Sequence, residues 1–253
     1  MLLAAANAAV RVLLAPACAA CDDVLVHPLA GPVCGRCWRS VPRLAPPWCV
    51  RCGDALAAWR SDGPLCARCR RHPARLTLAR SAGRYDGSLR KIVHAFKYQG
   101  RRALAEPLGA LLHDTGRELL SGADAVVPVP LHPLRAVQRG FNQSDDLARA
   151  LGLPVWRVLR RVRHGPPQAS LPAARRNANV RASFAVAWRW RLAPRAHPTI
   201  RLHNRVVVLI DDVMTTGATL EACSRVLLEA GVRSVRALTV ARAVAGRPAQ
   251  PPS

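Results

Sequence analysis

A parallel α/β sheet behind a metal-stapled leader is the architecture this sequence predicts, and three observations predict it. Eight cysteines between residues 18 and 69 fall in four C-x2-C steps. Beyond residue 80, short β-branched runs alternate with amphipathic helical stretches, which is the pattern of strands joined by crossover helices. The 253 residues are 50% apolar and 21% charged, enough core material for one large domain and a small one, which excludes a wholly disordered chain.

Residues 1–17 come first. The run MLLAAANAAVRVLLA has the apolar character of a signal peptide, but its n-region carries no side-chain charge and Arg11 sits inside the run. Cleavage at the Ala-Cys-Ala of residues 17–19 would also disrupt the first cysteine pair. A short amphipathic helix packed on the body is the expectation. No other uninterrupted apolar stretch reaches the ~18 residues of a membrane span, and a cytoplasmic location follows as an expectation.

Residues 18–72 form the cysteine module. The steps are Cys18/Cys21, Cys34/Cys37, Cys49/Cys52 and Cys66/Cys69, with gaps of 12, 11 and 13 residues between them. A C-x2-C turn aims two thiolates at one centre, and two such turns about a dozen residues apart complete a tetrahedral zinc site. The competing chemistry is a disulfide framework, which requires an oxidising compartment. A redox pair would explain one C-x2-C step and not four. Spacing alone leaves the pairing open, but the 31- or 32-residue repeat, Cys18 to Cys49 and Cys34 to Cys66, suggests two successive ribbons. One would hold Zn²⁺ by Cys18, Cys21, Cys34 and Cys37, the other by Cys49, Cys52, Cys66 and Cys69. All-cysteine sites have no open coordination position, so both ions are expected to be structural. A segment this small lacks a self-sufficient core, and zinc contributes about 10–16 kcal/mol per site in model peptides. Trp38, Trp48 and Trp59 are its expected apolar filling, with His27 and His72 as surface residues.

Residues 80–245 read as the α/β body, and 246–253 as a disordered tail. SAGRYDG is a short strand and turn. Leu89, Ile92, Val93 and Phe96 share one helical face, with Gly100 as a stop, and Leu104, Leu108, Leu111, Leu112 and Leu119 mark a second helix. The runs ADAVVPVPL, VVVLI and SVRALTVA are strands, separated by helices around DDLARAL and from Ala218 to Ala230. Cys223 falls on the apolar stripe of the last helix and is expected in the core. Ligands of such sheets bind at the carboxyl ends of the strands.

The stretch VVVLIDDVMTTGAT, residues 206–219, places two carboxylates after a five-residue apolar strand and a small-residue turn before a helix. Such a turn offers backbone N–H groups, hydroxyls and a positive dipole end to a phosphate, while carboxylates accept from vicinal sugar hydroxyls. The plainer alternative is a strand end followed by an N-cap. The pattern resembles the phosphoribosyl pyrophosphate (PRPP) loop of type I phosphoribosyltransferases. That resemblance assigns Asp211 and Asp212 to the ribose hydroxyls and Thr215, Thr216, Gly217, Ala218 and Thr219 to the 5′-phosphate.

A second stretch, DAVVPVPLHPLRAVQRGFNQS at 124–144, is similar to the first strand and pyrophosphate loop of those enzymes, and more narrowly to the PVPL…RGFNQ signature of the ComF family of competence proteins. FKYQG at 96–100, Gln168, RRNANVRASF at 175–184 and the cysteine-rich leader agree with it. The resemblance runs from Cys18 to about Arg242. It implies a type I phosphoribosyltransferase-like parallel sheet flanked by helices, PRPP or a nucleotide as ligand with Mg²⁺, and Arg135, Arg139, Gly140, Asn142 and Gln143 at the pyrophosphate or substrate. It also implies a role in the entry of single-stranded DNA or in DNA utilisation, with the DNA-uptake helicase as a partner. The alternative is active transfer of phosphoribosyl to a nucleobase-like acceptor in nucleotide salvage. No nucleophilic catalyst is legible.

The net charge is +23, from 38 basic against 15 acidic residues. Fixed positive charge attracts polyanions, but Arg in place of Lys is also what a GC-rich coding sequence produces. The position of the charge says more. Between Asp146 and Asp211 lie 64 acid-free residues holding 13 Arg, together with Trp156, Trp188 and Trp190. This basic hood or insertion, about 154–204, suits single-stranded DNA through phosphate contact and base stacking, the phosphates of PRPP, or a solvated loop.

Overall fold

The computed structural model describes residues 2–56, 63–71, 75–162, 183–187 and 202–243. Trp59, His72, Arg163, Gln168, most of 175–184, Trp188, Trp190 and the 246–253 tail lie outside these residues. In chain order the elements are α1 (Leu2–Leu14), α2 (Gly35–Arg39), α3 (Ala67–Arg71), β1 (Leu78–Arg84), α4 (Gly87–Tyr98), α5 (Ala105–Leu120) and β2 (Ala125–Pro128). There follow α6 (Pro133–Arg139), α7 (Gln143–Arg149), β3 (Leu159–Arg161), β4 (Phe184–Val186), β5 (Val206–Met214), α8 (Ala218–Glu229) and β6 (Ser234–Arg242).

Four strands form one parallel sheet in the order β1-β6-β5-β2, as the alternating pattern predicts. Side chains alternate across a strand, and β5 shows the consequence. Val208 and Ile210 enter one core with Leu89, Ile92, Phe96, Leu108 and Leu112. Val207 and Leu209 enter the other with Cys223, Leu227 and Phe184. Helices α4, α5 and α7 thus cover one face, and α8 with the antiparallel β3-β4 pair covers the other. Asp86 caps α4 by accepting from the Gly87 N–H at 2.8 Å. Helix α5 approaches closely through Gly116, where a Cβ would meet Leu238 at 2.4 Å.

Both outer strands carry further backbone pairing. Arg43 bridges Gly83 in antiparallel sense, with Leu44 N–H donating to Ala82 O and Arg84 N–H to Pro42 O. On the other side Val155 bridges Val126.

Three expectations need correction. Strand β5 does not stop before the acid pair but runs to Met214, because β6 continues alongside it and supplies Thr239 opposite Asp211 and Ala241 opposite Val213. Helix α1 forms, but its apolar side chains do not pack on the body. Leu2, Leu3, Val12, Leu13 and Leu14 stand exposed, and docking goes through Asn7, which accepts from Leu29 N–H at 3.1 Å and donates to Leu3 O at 2.9 Å. Trp156 is buried in the second core and is not a stacking platform for bases. No helix among the described residues is long and apolar enough to cross a membrane.

Candidate functional site

The sequence repeat of the cysteine module is a backbone repeat. Cys18 N–H donates to Asp23 O at 2.8 Å, and 31 residues on Cys49 N–H donates to Asp54 O at 2.7 Å. Ala17 bridges Val24 as Trp48 bridges Ala55. Each second step opens a short helix, α2 after Cys34 and α3 after Cys66.

The sulfur atoms gather as the repeat predicts: Cys18, Cys21, Cys34 and Cys37 in one group, Cys49, Cys52, Cys66 and Cys69 in the other, each within 4.8 Å. Zinc–sulfur bonds of ~2.3 Å set tetrahedral corners about 3.8 Å apart. The Cys21–Cys34 and Cys52–Cys66 Sγ separations are 3.9 and 3.7 Å, so the donor sets fit zinc and no disulfide joins them. Burial pushes the Cys52 thiol up to about 11 and the Cys37 and Cys69 thiols higher still. Trp38 packs on the first core, Trp48 lies under the Arg80 guanidinium at 5.4 Å, and His27 is exposed.

A second constellation sits at the carboxyl end of β5. Asp211 Oδ1 accepts from Ser144 Oγ at 3.0 Å and from the Asp212 backbone N–H at 2.9 Å. Asp212 Oδ1 pairs with Lys97 Nζ at 2.8 Å, their side chains only 13 and 14% exposed. Burial, then the adjacent Asp212 charge, pushes the Asp211 carboxyl up to about 7. Thr215 and Thr216 follow, exposed, and Gly217 takes the left-handed conformation at φ +76° as the N-cap of α8. Ala218 and Thr219 begin that helix, so the turn presents its first N–H groups beside the acid pair.

The 124–144 stretch contributes unevenly. Asn142 caps α7, its Oδ1 accepting from Ser144 N–H and its Nδ2 donating to Val129 O, each at 3.1 Å. Arg139 donates to Gln143 Oε1 at 3.0 Å and lies 4.6 Å over the Tyr98 ring. Gln143 is 1% exposed and its Nε2 has no partner among the described residues. Gly140 turns at φ +70°, and Arg135 is exposed. Cys223 is fully buried in the second core.

Sequence reading missed Lys97, Ser144 and Arg161. Lys97 was signalled only by scarcity, as one of two lysines in the chain, and by its place in FKYQG. Arg161, half-buried on Phe184, leaves its Nε unpartnered. Burial and the neighbouring Arg135 depress its pKa, with the Asp211 carboxylate acting in the opposite direction.

Comparison with known proteins finds two family models along the chain. The double zinc ribbon domain matches residues 9–72 and the phosphoribosyl transferase domain matches residues 137–250. Competence protein F of Haemophilus influenzae is 30% identical over 228 residues, covering 86% of this chain and 93% of that one. DNA utilization protein YhgH of Salmonella typhimurium is 32% identical over 224 residues, covering 83% and 90%. A solved structure of the allosteric regulatory enzyme of purine biosynthesis aligns with 58% of this chain and 30% of its own, at 21% identity and a TM-score of 0.35. With its double zinc ribbon, its phosphoribosyl transferase domain and nearly full-length likeness to these relatives, the chain belongs to the ComF family of competence and DNA utilization proteins.

Proposed function

We propose that the chain binds PRPP, or a nucleotide of the same ribose-phosphate chemistry, at the turn after β5, and that it does so in DNA uptake or DNA utilisation. The observation that carries this reading is the Asp211–Asp212 pair, held by Ser144 and Lys97 directly ahead of the small-residue turn that opens α8. Vicinal ribose hydroxyls donate to carboxylates, and a 5′-phosphate takes backbone N–H groups at the positive end of a helix. Asp211 and Asp212 would hold the ribose, and Thr215, Thr216, Gly217, Ala218 and Thr219 the phosphate. Arg135, Arg139 and Gln143 would face the pyrophosphate, on a loop shaped by Gly140 and Asn142. Mg²⁺ fits a site of this kind as a neutraliser of pyrophosphate, held mainly by the ligand's oxygens with at most one or two carboxylates. The relatives' names supply the biological context, and reduced zinc thiolates agree with a cytoplasmic setting.

Calorimetric titration of the zinc-loaded chain with PRPP and Mg²⁺ tests the site. The wild type should bind, and Asp211→Asn/Asp212→Asn should weaken binding by about tenfold or more. Failure of the wild type to bind overturns the reading.

Transfer of phosphoribosyl to a nucleobase is the second reading, favoured by Asp211, whose carboxyl exchanges its proton near neutrality. Pyrophosphate release with a panel of bases tests it, and binding without release with any base would leave a sensor. Single-stranded DNA would meet the basic segment, where Arg160 is exposed while Arg157 is paired with Asp145. A salt-dependent gel shift that survives neutralisation of Arg157, Arg160, Arg161 and Arg163 would remove that segment from the role. Copurification with the competence DNA-uptake helicase tests the protein partner.

A further inference from the structure

We propose that the second zinc ribbon is a working part of the phosphate site, with Arg68 on α3 supplying a guanidinium to the anion held by the Thr215–Thr219 turn. The proposal rests on the ribose-phosphate reading of that turn and adds to it a residue from a different module.

The internal repeat makes the case. The two ribbons carry the same acid and the same arginine at matching places: Asp23 and Arg36 in the first, Asp54 and Arg68 in the second. Each acid lies two residues after the second cysteine of its ribbon, and each arginine directly precedes the fourth. In the first ribbon the two pair with each other, Arg36 donating to Asp23, and the charge is cancelled locally. In the second ribbon the acid has been taken by another cation. Arg242, the last residue of β6 and only 3% exposed, donates from Nε to Asp54 Oδ1 at 2.9 Å and from Nη1 to Cys52 O at 2.9 Å. Arg68 is thereby left with neither a hydrogen bond nor an ion pair among the described residues. Its neighbours on α3 fold back on their own ribbon, Arg70 onto Leu65 O and Arg71 onto Ala67 O.

The released guanidinium stands at the turn. A Cβ at Gly217 would lie 3.9 Å from Arg68 Nη2. The turn is also held on both sides by residues outside the ribbon, one at the end of β6 and one on the link from ribbon to body. Upstream, Arg242 Nη1 lies 3.6 Å from Met214 Sδ, and Met214 immediately precedes Thr215. Downstream, Glu221 in the first turn of α8 accepts from the Arg75 N–H at 2.9 Å. A free arginine beside a helix N-terminus that is capped by the left-handed Gly217 brings two positive features to one small space, and a phosphate's geometry suits a guanidinium fork. Arg242 therefore does two things: it fixes the ribbon on the sheet, and it keeps Asp54 from neutralising Arg68.

The experiment is a calorimetric titration of the zinc-loaded full chain with ribose 5-phosphate in the presence of Mg²⁺. Five proteins are compared: the wild type, Arg68→Ala, Arg68→Lys, the repeat counterpart Arg36→Ala, and Asp211→Asn/Asp212→Asn. Arg68→Ala should keep two zinc ions per chain and bind about tenfold more weakly or worse, with Arg68→Lys recovering part of the loss. Arg36→Ala should bind like the wild type. If the wild type binds and the aspartate variant does not, while Arg68→Ala binds like the wild type, the proposal is overturned and the ribose-phosphate site stands. If the wild type itself does not bind, the site reading falls and takes the proposal with it.

Discussion

The two zinc ribbons share a spacing, a backbone hydrogen-bond pattern and a cysteine chemistry, yet they are joined to the body by different forces. Ribbon one is joined by apolar packing: Cys18, Leu25, Val33, Cys37 and Val41 belong to the same core as Phe96 and Leu112. Ribbon two is joined by directional polar contacts: Arg242 to Asp54 and Cys52, Arg80 to Val50 O, and Ala79 N–H to Arg51 O. Apolar contact is tolerant of small displacements, whereas a buried guanidinium with named acceptors fixes distance and angle. Duplication of one fold has thus produced a part that adds to the core and a part that positions a site.

The largest expected effect comes from removing one metal at a time. Cys37→Ser should lower the unfolding midpoint by about 10 °C or more, because it opens the main core along with the zinc site. Cys69→Ser should also lose one zinc but lower the midpoint by about half as much, while taking ribose 5-phosphate affinity with it. Scanning calorimetry with metal analysis reads both, and equal losses of stability and of binding would break the comparison.

A smaller effect sharpens it. At equivalent places the chain has Asp22 at φ +60° and Gly53 at φ +68°. A Cβ at Gly53 would stand 2.6 Å from Ala79 O, so ribbon two is pressed against β1 at a point that tolerates no side chain. Gly53→Ala should cost about 2 kcal/mol in denaturant unfolding, and Asp22→Gly should stay within about 0.5 kcal/mol of wild type. A mild Gly53→Ala would mean that ribbon two is not held as closely as the comparison says.

A further effect lies beyond both ribbons, at the acid pair held by Lys97 and Ser144. The Asp211 carboxyl is raised from 3.8 to about 7 in the fold, so its contribution to stability is full below pH ~4 and is lost as pH rises through about 7. Asp211→Asn escapes that loss. It should melt several degrees above wild type at pH 8, with the difference shrinking as pH falls and closing below pH ~4. A constant difference across this range would place the cost elsewhere.

What was legible in the sequence was whatever a local pattern encodes. The cysteine steps located both metal sites because the ligands of each lie within 20 residues of one another. The apolar stripes of α4 and α5 and the alternation of strands with helices located the sheet. The extension of β5 through Asp211 to Met214 was not legible, because it depends on register partners in β6 that periodicity does not name. Lys97 reaches Asp212 across more than 100 residues, and Arg242 reaches Asp54 across 188. The same limit hid the fate of Arg68. Its repeat position matched Arg36, but only the fold shows that its acid has been claimed by the far end of the chain. Helix α1 was misplaced for a different reason, since an apolar stripe announces a face but not what covers it.

The segment between the two ribbons, where Arg43 pairs with Gly83 and Leu44 with Ala82, has a consequence of its own. It seals the outer edge of β1, a row of peptide groups that would otherwise recruit a strand from another molecule. Its hold on that edge is backbone pairing, and a cysteine cluster tethers it on either side. Stripping the zinc would therefore do more than loosen a small module: it would uncover a sticky border on an otherwise intact sheet, and chains would associate through it. Chelation should then give concentration-dependent association, read by light scattering, as well as loss of the module.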